Sequence, residues 1–403
     1  MKKVIALLVL SNFIIGCSDD ASNAPLNQAT QTKQSPETAS FVTMTSDEAL
    51  KIANKIFADY FEENKAFNPI AATFLGDSAY NDKFNPIINT ENLSERLAFE
   101  KQYLQQIKAI NPELLTGQER LSYEIFKRDR EIAIEGAAFP SHLIPINQMY
   151  GMHNFYAQLG SGQSAQPFNT LEDFDNFIKR SKGFALWMDS TITAMAEGLE
   201  KGIVQPDVVM NKVIPQLAFH LVDKVDDSVF ATPLKNMSDS ITADEKTMLE
   251  TRYKAMITET ILPAYKRLHD FIVTDYLPKS RQSVGISEHP NGKAWYQYQI
   301  KINTTLDLTA DEIHLIGKNE VARILGEMDK VKQTVGFEGS LAEFFEHLKS
   351  DDKYYFNSEQ ELIAGYESTR DKINKLTPKL FSIFPKADYE VKLVEPFRAS
   401  NSR

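Results

Sequence analysis

Thr45-Ser46-Asp47-Glu48-Ala49-Leu50-Lys51-Ile52-Ala53-Asn54-Lys55-Ile56-Phe57-Ala58-Asp59-Tyr60-Phe61 is the stretch that decides the fold class. It opens on Thr-x-x-Glu, a capping box. The hydroxyl accepts from an orphan N–H of the first turn, and the Glu side chain reaches back to the N–H of the cap. Apolar residues then fall at Ala49, Ile52, Ala53, Ile56, Phe57, Tyr60 and Phe61. This i, i+3, i+4, i+7 spacing predicts a half-buried helix with Ile52 on its core side.

The same opening recurs at Thr116/Glu119, Thr242/Glu245, Thr309/Glu312, Ser340/Glu343 and Ser358/Glu361. Further helices are expected near 92–110, 170–202, 206–223, 242–277 and 291–303. Pro263 should kink or split the fourth of these, because proline removes a backbone donor and clashes with the preceding turn. Alternating strand patterns are scarce. The best runs Tyr389-Glu390-Val391-Lys392-Leu393-Val394-Glu395, which would place Tyr389, Val391 and Leu393 on one face. The expected class is mainly α: a multi-helix layered body, with one C-terminal β-strand that lacks partner strands. Breaks at 136–168 and 278–293 are candidate subdomain joints, and no internal repeat stands out.

Ahead of this body, Lys2 and Lys3 precede an apolar run from Val4 to Ile15. That run is too short for a spanning helix, which needs about 20 residues, and reads as the core of an export signal. It ends Ile14-Ile15-Gly16-Cys17, which looks like a bacterial lipobox. Residues 1–16 are therefore expected to be a lipoprotein signal peptide. Cys17 would be the lipid attachment site, and 17–44 a lipidated cysteine followed by a flexible tether. A buried thiol is the alternative for Cys17, but it is the chain's only cysteine and stands where the motif needs it. Several acyl chains would anchor the protein firmly. Ser18 follows, which in a Gram-negative cell implies sorting to the outer membrane, facing the periplasm.

The chain carries 44 Lys+Arg against 55 Asp+Glu, a formal charge of −11. That balance argues against nucleic acid as a partner, since phosphates call for excess cations. A lone cysteine excludes an internal disulfide framework.

Chemical motifs are mostly absent. There is no phosphate-binding Gly-x-x-x-x-Gly-Lys loop and no Gly-x-Ser-x-Gly elbow. Gly160-Ser161-Gly162-Gln163-Ser164-Ala165 fits a relaxed dinucleotide pattern but lacks a preceding strand, so it reads as a loop. The histidines are His142, His153, His220, His269, His289, His314 and His347, and none is followed by Glu. Asp311/His314 and Glu343/His347 could each place two metal ligands on a helix face. Both acids lie in first turns, however, where capping and dipole stabilisation are the stronger reading. No metal or catalytic residue is assigned. Trp295, Tyr296 and Tyr298 sit together on one predicted helix, as core or as a groove wall.

Pro290-Asn291-Gly292-Lys293-Ala294-Trp295-Tyr296, Thr304 to His314, and Gly317 with Glu320 to Ile324 together resemble the bacterial family called domain of unknown function 885. Asn68-Pro69, Pro145 to Gln148, Gln205-Pro206 and Val394 to Arg398 agree with it. The resemblance spans about residues 46–398. It implies a helical body with a deep cleft, akin to zincin-type zinc metallopeptidases, many of them secreted or lipid-anchored. Their His-Glu metal motif has no match in these 403 residues, so 45–403 is expected to be the helical N-terminal part of the family domain. The chain would then be inactive alone, and zinc a cofactor of longer members only. From the same block, Tyr296, Thr304 and Thr305 are the candidate substrate-groove residues. The candidate partners are the membrane, a peptide ligand and a separate C-terminal fragment. A non-catalytic lipoprotein that binds peptides or an envelope partner is the alternative.

Overall fold

The computed structural model describes residues 44–394. Among these residues there are thirteen α-helices and no β-strand; the one bridge, between Pro206 and Arg281, is isolated. The described residues divide into two units, 44–310 and 311–394. Both predicted joints, 136–168 and 278–293, lie inside the first.

The first unit opens with α1 (Ser46–Asn64), α2 (Pro69–Phe74), α3 (Thr90–Lys108) and α4 (Gly117–Gly136). Thr45 and Glu48 form the reciprocal capping box that starts α1. Ala49, Ala53 and Ile56 bury against Phe99, Tyr103 and Ile107 of α3 and Tyr123 of α4. Tyr60 stacks on Phe99 at 5.0 Å. Ile52, by contrast, is 41% exposed. The buried stripe runs 49, 53, 56, and position 52 falls on its flank, a narrower face than the apolar spacing suggests.

α5 (Met152–Gly160), α6 (Leu171–Lys201), α7 (Asp207–Ala218), α8 (Ala243–Met256) and α9 (Leu262–Phe271) build the larger core. Long α6 buries Phe174, Phe177, Phe184 and Met188. Tyr156 of α5 stacks on Phe184 at 4.0 Å and donates to or accepts from Ser181 at 2.7 Å. α6 starts on a capping box whose acid is Asp173 rather than Glu, with Thr170 as cap. It ends at Gly202, whose φ of 69° favours glycine. The 242–277 segment stays helical through Pro263 rather than splitting, with the regular α-helical pattern interrupted by π-helical turns. A π-helical turn at 257–261 joins α8 to α9 with helical backbone at both junctions, and Pro263 stands just past it, where the wider turn accommodates a residue that lacks an N–H. α10 (Gly292–Thr304) completes the unit.

The second unit holds α11 (Ala310–Thr334), α12 (Leu341–Ser350) and α13 (Glu359–Leu376). Ser340 and Glu343 form a full capping box on α12. Ser358 accepts from the Glu361 N–H. Phe337, Phe344 and His347 cluster with ring centroids 5.2 Å apart for Phe337–Phe344 and Phe337–His347.

The predicted C-terminal strand does not form. Residues 389–394 carry no strand, because no neighbouring strand among the described residues offers the carbonyls and N–H groups that would complete a ladder. Glu395, the signal peptide at 1–16, Cys17 and most of the tether lie outside the described residues. No helix among the described residues is long and apolar enough to cross a membrane.

Candidate functional site

The first unit carries a groove of about 680 Å³ between the start of α3, the end of α4, the end of α6 and α10. Its apolar wall begins with α10. Trp295 buries in a cluster with Leu143, Ala194 and Ile203. Phe139 lies nearly parallel to Trp295 at 6.1 Å and meets Tyr298 at 5.1 Å. Tyr298 donates to the Ile132 carbonyl at 3.1 Å. It crosses α4 at Gly136, where a Cβ would overlap the Tyr298 ring and hydroxyl. Gln299 and Ile302 from α10, with Leu93 and Leu97 from α3, extend this wall.

Charge enters from two sides. Glu100 of α3 is only 2% exposed, pairs with Arg96 at 2.6 Å and also with Arg130 of α4. Tyr60 donates to the same carboxylate at 3.2 Å, and the Arg130 guanidinium lies 3.9 Å above the Tyr60 ring. One buried acid thus stands between two guanidiniums. At the end of α6, Glu197 pairs with Lys201 at 2.5 Å, which holds its carboxyl below the usual range. His142 also lines the groove, and its pKa is lowered, mainly by burial.

A second cluster of polar groups is sealed inside the larger core. The His153 Nε2 lies 2.9 Å from the Gln216 Oε1, which also accepts from Asn154 at 2.9 Å. An amide oxygen only accepts, so Nε2 carries the proton and donates. Tyr265 donates to the His153 carbonyl at 2.5 Å, and the His220 ring packs on Tyr265 at 4.6 Å. Burial pushes His153 down to about 4. Burial and the nearby His153 push His220 down to about 3. Both are neutral at pH 7.

The zinc implied by the family resemblance can be tested against this chemistry. Among the described residues no three His, Cys, Asp or Glu side chains are grouped to hold a metal ion. The His153–His220 pair has an amide and a phenol around it. Glu343 is engaged by Ser340, whose N–H and Oγ lie 2.7 and 2.8 Å from its Oε2, so it caps α12. Asp311 lies in the first turn of α11. The described residues do not fit zinc.

Of the residues singled out in the sequence, Trp295 and Tyr298 line the groove. Tyr296 is 44% exposed and, like Thr304 and Thr305, is not among the lining residues. Thr304 and Thr305 end α10. Thr305 takes a left-handed φ of 64°, unusual for a β-branched residue, and its N–H donates to the Lys301 carbonyl at 3.0 Å. The Thr304 Oγ1 donates to the Ile300 carbonyl at 2.8 Å. Sequence reasoning missed Arg96/Glu100 and Glu197/Lys201, although their i, i+4 spacing is the signal of facing charges on a helix. Gly160 ends α5, and Ser161 to Ala165 form the expected loop after it, with Gly162 at a φ of 77°.

Comparison with known proteins places this geometry in a family. A crystal structure described as "the putative lipoprotein from Colwellia psychrerythraea" superposes with a TM-score of 0.73 at 20% identity, over 88% of this chain and 63% of its own. A second solved chain, "a putative lipoprotein of unknown function from Shewanella oneidensis", gives 0.48 at 14% identity, over 85% of this chain and 59% of its own. The first likeness establishes the fold, and this chain spans 63% of that protein's length. No curated protein matches. A sequence model described as "Bacterial protein of unknown function (DUF885)" matches residues 69–403, and the chain belongs to that family.

Proposed function

We propose that the protein is a lipid-anchored protein of the bacterial envelope whose helical body binds a peptide-like ligand in the α3–α4–α6–α10 groove and leaves it intact. The groove itself carries this reading. Its volume and its aromatic wall of Trp295, Phe139 and Tyr298 suit apolar side chains, and polar groups at the rim suit a backbone. Both acids lining it are already engaged by cations, Glu100 by Arg96 and Arg130, Glu197 by Lys201. The ion pair with Lys201 lowers the pKa of Glu197 and makes it a weak base, and the Glu100 oxygens are taken up by two guanidiniums, which favours recognition over proton transfer. The anchor rests on the lipobox at Cys17, in line with the description of the Colwellia protein.

In keeping with the resemblance to zinc metallopeptidases, the groove is read as a recognition wall. The 403-residue chain is proposed to be inactive as a peptidase when alone. Calorimetric titration of tripeptides with a central Leu or Phe, followed by mass spectrometry of the recovered peptides, tests both parts. Binding that Leu93→Arg weakens, with peptides recovered whole, is expected. Absence of binding would refute the groove, and chelator-sensitive cleavage would refute the lack of turnover.

A further inference from the structure

Between residues 311 and 394 only one described residue, Phe344, is buried. The apolar residues of this unit are present but uncovered. Along α11 and just past its end, Val321, Ile324, Met328, Val331 and Val335 follow one another at spacings of three and four, and each is 39 to 62% exposed. That is the 3.5-residue period of a coiled-coil seam, the pattern by which one helix meets another. Arg323 pairs with Glu320 at 2.8 Å and lies 3.8 Å from Glu327, so the bordering charges satisfy one another and the seam between stays apolar. Scattered exposed apolar residues are ordinary, but a continuous seam marks an interaction surface.

We propose that the α11 seam docks an α-helix with a matching apolar seam, belonging to a segment equivalent to the part of the Colwellia protein that has no counterpart in these 403 residues. The Colwellia protein shares the fold over 88% of this chain, yet more than a third of its own length has no counterpart here. A second copy of this chain is the weaker occupant. Five seam positions run about 20 Å along a helix. At one helix width that covers a few hundred Å², against the roughly 800 Å² per partner of a specific interface. A seam of this size suits one helix packed within a larger shared core.

Hydrogen exchange on the full chain, alone and with a probe, tests this. The probe is a separate polypeptide comprising the part of the Colwellia psychrerythraea protein outside the overlap. Alone, the α11 amides should exchange at least 100-fold faster than those of α6. The probe should slow them at least 10-fold. The double variant Ile324→Glu, Met328→Glu should abolish that slowing while the first unit melts as in the parent and peptide binding in the groove is unchanged. Three outcomes overturn the proposal: α11 amides already slow in the chain alone, sedimentation showing a dimer that protects α11, or α11 exchange unaffected by the probe.

Discussion

The Arg180 guanidinium is fully buried and its Nε donates to the Lys83 backbone carbonyl at 2.7 Å. Its other nitrogens donate to the Gln166 Oε1 at 2.5 Å, the Thr73 Oγ1 at 2.7 Å and the Tyr80 carbonyl. No carboxylate touches it in this set. Burial pushes its pKa down to about 10, so it remains charged at neutral pH. One side chain of α6 therefore ties down the whole 73–83 connection between α2 and α3. Arg180→Met should leave these acceptors unpaired at a cost of about 3 kcal/mol or more. Arg180→Lys should recover only part, because an ammonium lacks the planar fork. Urea unfolding of both variants checks this; a midpoint equal to the parent's would remove Arg180 from the role.

Glu100 holds two guanidiniums at the groove floor. Glu100→Gln should destabilise by about 3 kcal/mol, since the buried Arg130 and the half-buried Arg96 both lose their counter-charge. Arg130→Met should cost less, because Arg96 still neutralises the carboxylate. Chemical denaturation decides the order, and a reversed order would mean that the cation–π contacts of Arg130 with Tyr60 and Phe126 dominate.

Acid should weaken the first unit through its buried imidazoles. His153 and His220 are held at about 4 and about 3, against 6.5 when unfolded. Between these values the unfolded chain binds more protons than the folded one. Stability therefore falls as pH drops below about 6.5, by up to ~1.4 kcal/mol per pH unit for each histidine, and the loss levels off only below the folded values. His220→Phe should make the slope between pH 6 and pH 4.5 shallower by about one proton. An unchanged slope in pH-dependent melting would show that His220 is not buried neutral.

The Tyr298 crossing at Gly136 makes a paired prediction. Gly136→Ala should displace Tyr298, break its hydrogen bond to Ile132 and narrow the groove, with a loss of about 1–3 kcal/mol. Tyr298→Leu in that background should relieve the overlap. A double-mutant cycle with no coupling would contradict the close approach.

Thr242→Ala should cost about 1 kcal/mol, because the Thr242–Glu245 box serves two of the backbone N–H groups left without helical partners at the start of α8. Ile52→Asp, on the exposed flank of α1, should cost far less than a core substitution, and thermal melting separates the two cases.

Helix starts were legible because capping is local. Thr45, Thr242 and Ser340 meet their partners three residues on, whatever the rest of the chain does. Thr116, with the same pattern, makes no side-chain cap bond; the residue after it, Gly117, takes a left-handed φ of 54° in place of a regular first helical turn. The strand at 389–394 failed for the opposite reason. A strand exists only with a neighbour, and alternation cannot supply one.

What the chain encodes locally, then, is its mainly helical class, several capped helix starts and the irregular helix beside Pro263. These depend on bonds and spacings within a few residues. Which face of each helix is buried, and so that Ile52 lies outside and Tyr298 rather than Tyr296 faces the groove, was decided by packing between helices far apart in sequence. The same holds for Arg180 gathering acceptors from residues 73 to 166 and for Glu100 meeting Arg130. Such pairings depend on where long segments return in space, and no local spacing carries that distance.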